Sequence, residues 1–211
     1  STLCTDKEIT YKFIDDVVRE ITAITPGPYF HIGGDESHVT KESDYIPFVE
    51  RVQDIVAKYG KQSIGWDEIA LSTLRTNTVA QHWSNVENAN KAVKQGAKLL
   101  MSPAKKAYID MQYDKTTKLG LHWAAYIEVD AAYNWDPASL VPGIGKEHIV
   151  GVEAPLWTET LTNIDEIEYM VFPRLPGIAE VGWTPASSRS WDEYKVRLGK
   201  FGPRFEAMEI D

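Results

Sequence analysis

Apolar residues recur along the chain with two alternating periods. Ile9, Phe13, Ile14, Val17, Val18 and Ile21 fall at helical spacing, behind Thr5-Asp6-Lys7-Glu8, which reads as a capping box. Pro26-Gly27-Pro28 ends that helix, and the short apolar run Tyr29 to Ile32 reads as a strand. The same pattern predicts a helix over Asp44 to Tyr59 closed by Gly60, and then a strand over Gln62 to Trp66. It continues with strands over Thr78 to His82, Lys98 to Met101 and Ile149 to Glu153, and a helix over Val86 to Gln95 closed by Gly96. A helix over Asp165 to Ala179 is expected to break near Pro173 and Pro176, and Ser190-Trp191-Asp192-Glu193 is expected to cap a last helix.

Short strands alternating with helices imply parallel pairing, and parallel sheets carry function at the carboxyl ends of their strands. Those ends are chemically loaded here. The first leads into Gly33-Gly34-Asp35-Glu36, the second into Trp66-Asp67-Glu68, the third into His82-Trp83 and the fifth toward Trp157-Thr158-Glu159. Polar and aromatic groups converging on one face point to an α/β fold of the (β/α)8 barrel type. Five strands are too few to close such a barrel, which takes eight strands and about 250 residues. The chain therefore reads as a single partial barrel domain over residues 1–211, holding about the last five βα units.

Composition narrows the chemistry. A chain of 211 residues, 43% hydrophobic, can bury a sizeable core. A net charge of −9 with no basic stripe disfavours nucleic acid, because no counterions would be released on binding. A neutral ligand fits better. No apolar run is long enough to span a bilayer, and the first residues do not resemble a signal peptide. Cys4 is the one cysteine, so no internal disulfide is expected. Seven Trp and ten Tyr are an unusual enrichment; a large core accounts for about half of them, and the rest need placing.

Asp35 and Glu36 are the leading candidates for chemistry. The two glycines before them let the strand turn sharply, and neighbouring carboxylates in different surroundings can divide acid and base roles. A lone Gly-Asp-Glu is more often a helix cap, so the pair gains weight only from the motifs that follow it. Asp67 and Glu68 read as helix-cap acids, His31 as a core histidine supporting its strand, and His38 and His82 as peripheral. No histidine spacing suggests a metal site.

Taken in order, His31 to Glu36, Gly65-Trp66, Gln81-His82-Trp83, Tyr108-Ile109-Asp110, Gly120-Leu121-His122-Trp123, Gly151 to Thr160, Phe172 to Pro176 and Ala179 to Trp183 resemble the catalytic domain of the family 20 β-N-acetylhexosaminidases, the bacterial chitobiase-like members in particular. The likeness runs the whole length of the chain. It implies an exo-acting glycosidase that removes terminal β-linked N-acetylglucosamine or N-acetylgalactosamine with retention. In that mechanism the substrate's own acetamide oxygen attacks the anomeric carbon and forms an oxazolinium intermediate.

By the same resemblance Glu36 is the general acid, with a proton affinity expected to be raised by a neighbouring anion and partial burial. Asp35 orients the acetamide and Tyr108 donates to its oxygen. Trp66, Trp83 and Trp157 wall the acetyl pocket, Asp110 and Glu159 bind the 4- and 6-hydroxyls, and Trp123 stacks on the leaving sugar. Considered singly, Tyr108 and Trp123 would be core aromatics and Asp110 a solvated loop acid. The resemblance implies no cofactor and no metal. Its substrates are oligosaccharides or glycoconjugates ending in N-acetylhexosamine, with chitin oligomers, glycoprotein glycans and glycolipids all open. It favours an extracellular or periplasmic location over a cytoplasmic one.

The departures carry an expectation of their own. The family's barrel begins with three strands that have no match here, one of which brings an arginine gripping the 3- and 4-hydroxyls. None of this chain's arginines, from Arg19 to Arg204, sits at a recognisable strand end. Open strand edges call for a partner, either an amino-terminal barrel half or another chain. The alternative to turnover is an N-acetyl-sugar-binding fragment that holds ligand without cleaving it, and a third reading is an assembly protein built on a decayed barrel.

Overall fold

A computed structural model describes residues 2–210. The chain divides into two compact units, residues 1–100 with 141–150, and residues 101–140 with 151–211. The described residues form five strands, β1 (Tyr29–His31), β2 (Gln62–Trp66), β3 (Val79–His82), β4 (Lys98–Met101) and β5 (Ile149–Val152), hydrogen-bonded in sequence order. The division falls within β4 and β5.

In the first unit β1 pairs parallel with β2, Tyr29 opposite Gln62, and β2 pairs parallel with β3, Ile64 opposite Val79. Three helices accompany these strands: α1 (Glu8–Ile24), α2 (Glu42–Lys58) and α3 (Val86–Lys94). A 3₁₀ turn over Asp67–Leu71 follows β2 directly. The core between helices and sheet is made by Val18, Val49, Val52, Val56, Ile69, Val79 and Leu99, all buried. Small side chains, Ala80 in β3 with Ala89 and Ala92 in α3, let that helix lie close to its strand. The opposite face of α1 is apolar yet exposed, with Ile9, Phe13, Val17, Ile21 and Ile24 at helical spacing.

The regular structure of the second unit is mainly helical: α4 (Ala104–Ala107), α5 (Val129–Tyr133), α6 (Ile164–Val171), α7 (Arg174–Trp183), α8 (Trp191–Gly199) and α9 (Gly202–Ala207). The helix expected over Asp165 to Ala179 is two helices, interrupted at Phe172-Pro173 because proline has no N–H to continue the ladder. α5 packs on α7. Tyr133 of α5 stacks on Tyr194 of α8 at 4.3 Å and donates its hydroxyl to Glu180 of α7 at 2.7 Å. Arg197 closes this group through two hydrogen bonds to Glu180.

Both expected amino-terminal caps differ from what forms. α1 starts at Glu8 after Lys7, and α8 starts after Ser190, neither with a side-chain cap bond. The Thr5 backbone carbonyl instead accepts the Tyr11 hydroxyl at 2.6 Å. Side-chain caps are made by Asn85, which accepts from Glu87 and Asn88, and by Asn163, which accepts from Glu166. α8 is not the last helix, since α9 follows it.

Candidate active site

The first unit carries the carboxylate pair. The chain stays bound to β2 beyond the end of β1, through Ile32 N–H to the Ile64 carbonyl at 2.8 Å and Trp66 N–H to the Gly33 carbonyl at 2.9 Å. It then turns through Gly33 and Gly34, at φ of +70° and +92°, a region that side-chain-bearing residues rarely adopt. A Cβ on Gly34 would also lie 2.6 Å from Ile69 Cγ2. Two further bonds hold the turn. Gly33 N–H donates to His31 Nδ1 at 3.0 Å, and the Tyr45 hydroxyl donates to the Gly34 carbonyl at 2.5 Å.

Because His31 Nδ1 is an acceptor, the proton of the neutral ring sits on Nε2, which lies 3.0 Å from Gln81 Oε1. His31 is thus well bonded, but it is exposed rather than in the core. Asp35 and Glu36 are displayed just past the turn, both exposed, on a cavity of about 430 Å³ shared with Ile32, Ser37, Tyr45 and Phe48. The partial burial expected for Glu36 is not realised.

Trp66 ends β2, half-buried, with its indole edge-on to His31 at 5.5 Å. The two acids after it are not helix caps. Asp67 is fully buried and takes His82 Nδ1 at 2.8 Å, the Trp83 and Asn85 N–H groups at 3.3 Å and Asn88 Nδ2 at 3.4 Å. His82 is therefore an interior partner of Asp67 and not peripheral. Glu68 accepts the Trp83 indole N–H at 3.0 Å and 3.3 Å. Desolvation, reinforced by the negative charges of Asp67 and then Glu36, pushes the Glu68 carboxyl up to about 7.

The second unit carries the other expected residues. Tyr108 follows α4 and is buried, with its ring 6.0 Å from Trp123 in an edge-on arrangement and 6.2 Å from a tilted Trp157. Trp123 and Trp157 are themselves exposed, as is Glu159. Asp110 is 1% exposed, which overturns the picture of a solvated loop acid. Its carboxylate oxygens are closed off from solvent, and the backbone N–H groups of Asp110 and Trp157 lower its pKa. Burial raises its pKa to about 6, Glu159 adds to the rise and Arg174 opposes it.

Sequence reasoning missed what holds this half. Arg174 is fully buried at the start of α7. Its guanidinium donates to the carbonyls of Ile109 (2.5 Å), Met111 (2.6 Å), Ile127 (3.0 Å) and Met170 (2.6 Å), and its plane lies over the Tyr113 ring at 3.9 Å. Gly120, at φ +84°, packs where a Cβ would collide with the Asp110 carbonyl oxygen. The loop of Gly120 and Leu121 is bonded to that oxygen through Leu121 N–H at 2.9 Å and to Thr160 Oγ1 through Gly120 N–H at 2.7 Å.

The family model described as "Glycosyl hydrolase family 20, catalytic domain" matches residues 1–45 and 38–186. The chain belongs to glycosyl hydrolase family 20. It is 43% identical over 211 residues to a beta-N-acetylhexosaminidase of Cellulomonas fimi, covering 99% of this chain and 42% of that protein. Among solved structures it matches the family 20 beta-N-acetylhexosaminidase of Streptomyces coelicolor A3(2) with a TM-score of 0.96 and 50% identity, covering 100% of this chain and 44% of that one. A mutant Streptomyces plicatus beta-hexosaminidase in complex with product (GlcNAc) matches with a TM-score of 0.96, 49% identity and the same coverage. The chain thus spans less than half the length of these family 20 relatives, and its parallel sheet and helices are part of a (β/α)8 barrel.

Among the described residues no group of three or more His, Cys, Asp or Glu side chains could hold a metal ion, and no helix is long and apolar enough to cross a membrane.

Proposed function

We propose that this chain carries most of the active site of an exo-acting β-N-acetylhexosaminidase. The observation that carries the reading is the adjacent pair Asp35 and Glu36, both exposed just past a double-glycine turn at the end of a parallel strand, in a chain of family 20. Glu36 protonates the glycosidic oxygen as the bond to the anomeric carbon breaks and afterwards takes a proton from the attacking water. Asp35 accepts the acetamide N–H and offsets the positive charge that develops as the acetamide oxygen closes the oxazolinium ring. Tyr108 donates its hydroxyl to that oxygen, and Trp66, Trp83 and Trp157 enclose the acetyl methyl. Asp110 and Glu159 take sugar hydroxyls and Trp123 stacks on the leaving sugar.

A second reading, N-acetyl-sugar binding without turnover, draws on the apolar face of α1 and the exposed Tyr29 on edge strand β1. Further strands, from the same protein or another chain, would cover these surfaces and complete the barrel. Hydrolysis of an aryl N-acetyl-β-glucosaminide, with mass in solution recorded on the same sample, separates the readings. Turnover inhibited by an N-acetylglucosamine thiazoline supports the enzyme, whereas thiazoline binding without turnover supports the binding fragment. Glu36→Gln should abolish turnover of substrates with poor leaving groups and spare activated aryl glycosides, and Asp35→Asn should slow both. Equal rates on sugars with and without the N-acetyl group would sink the assignment.

A further inference from the structure

We propose that Glu68 is a positioning residue that sets the Trp83 indole in the acetamide pocket, while Asp67 fixes the backbone of the same tryptophan; the inference rests on the reading given above. The 3₁₀ turn after β2 sends two consecutive carboxylates to one residue on the next strand's end. Asp67 accepts the Trp83 N–H at 3.3 Å and the neighbouring His82 and Asn85 donors, which fixes where the loop leaves β3. Glu68 takes the indole N–H through both oxygens, at 3.0 Å and 3.3 Å, which fixes the rotation of the ring. An indole held at its backbone and at its far nitrogen presents one face, and a pocket that must keep an acetyl group in line for attack needs that face constant.

Stability alone does not call for an acid at this position. A half-buried carboxylate beside a fully buried one is disfavoured by desolvation and by like charge, and an apolar side chain would remove both costs. What an apolar side chain would not do is accept the indole N–H.

Three versions of the chain test this: unsubstituted, Glu68→Met and Glu68→Gln. The first readout needs no ligand. The Trp83 indole N–H resonance, assigned by its loss in Trp83→Phe, should be protected from solvent exchange in the unsubstituted and Gln forms and exchange at least about tenfold faster in the Met form. The second readout is thiazoline affinity, with kcat/KM for an aryl N-acetyl-β-glucosaminide where turnover occurs. Loss of one hydrogen bond, with the indole N–H left without an acceptor, predicts a fall of about tenfold for Met, carried by KM and thiazoline affinity more than by kcat, with Gln, which still offers an acceptor oxygen, within about threefold. Unchanged exchange and affinity in Glu68→Met would overturn the proposal, as would equal losses in Met and Gln, which would assign the effect to charge. A changed resonance in a chain that neither binds thiazoline nor turns over would overturn the functional reading and the pocket role with it.

Discussion

Replacing Glu68 with glutamine should make the chain more stable in mild alkali and leave it little changed in mild acid. The folded carboxyl titrates at about 7 against an ordinary value of 4.5, so the folded chain holds that proton more tightly than the unfolded chain does. The stability this contributes is fully present below pH 4.5 and is lost as pH rises through about 7. At about 1.36 kcal/mol per pH unit the upper bound is ~3.4 kcal/mol. Part of the carboxylate still meets solvent, and screening reduces the expected cost of the anion to about 1–2 kcal/mol. For a chain of this length that corresponds to a melting difference of about 2–8 °C. Asp110, raised to about 6, titrates in both proteins and cancels in their difference. Thermal melts followed by circular dichroism at half-unit steps from pH 4.5 to 8.5 should show Glu68→Gln gaining on the unsubstituted chain between pH 5 and 8. Parallel melting curves across that range would refute the placement of Glu68 in a desolvated site.

Three further outcomes follow from the geometry. Gly34→Ala combines a left-handed backbone with a 2.6 Å approach to Ile69 and should cost about 2–4 kcal/mol; denaturant unfolding measures it, and a loss below about 1 kcal/mol would contradict the turn. Arg174→Met leaves the carbonyls of residues 109, 111 and 127 without their donor and should cost about 3–5 kcal/mol, with hydrogen exchange accelerated first at residues 109–111. Asp110→Asn should stabilise the fold above pH 6, because the buried anion is removed, and weaken thiazoline binding at least about tenfold; tighter binding in calorimetry would remove Asp110 from the sugar site.

β1, β2, β4 and β5 were legible as short runs flanked by glycine or proline, and the bounds expected for β2 and β4 coincide with those that form. Gly60 and Gly96 close their helices at φ of +72° and +87°, as the pattern indicated. α4 and α5 are too short to show a period. Side-chain capping was misread at Thr5 and Ser190, since residue type permits a cap bond without compelling one. Asp67 and His82 were misplaced for another reason: their bond joins residues 15 apart on different elements, and local pattern carries no record of such a pair. Arg174 is the clearest case. Charge argues for the surface, and only the convergence of four backbone carbonyls makes the interior favourable. The candidate site came from the order of its motifs, whereas the burial of Asp110 and the exposure of Glu36 needed three dimensions.

The guanidinium of Arg174 does for its loops what a calcium ion does where carbonyl oxygens of separate segments are drawn to one cation. A bound ion can be diluted or chelated away. This one is tethered by its own side chain, so the crosslink that carries residues 109–111 is as permanent as the chain, and the loop bearing Asp110 is set by folding alone, whatever the ionic composition around it.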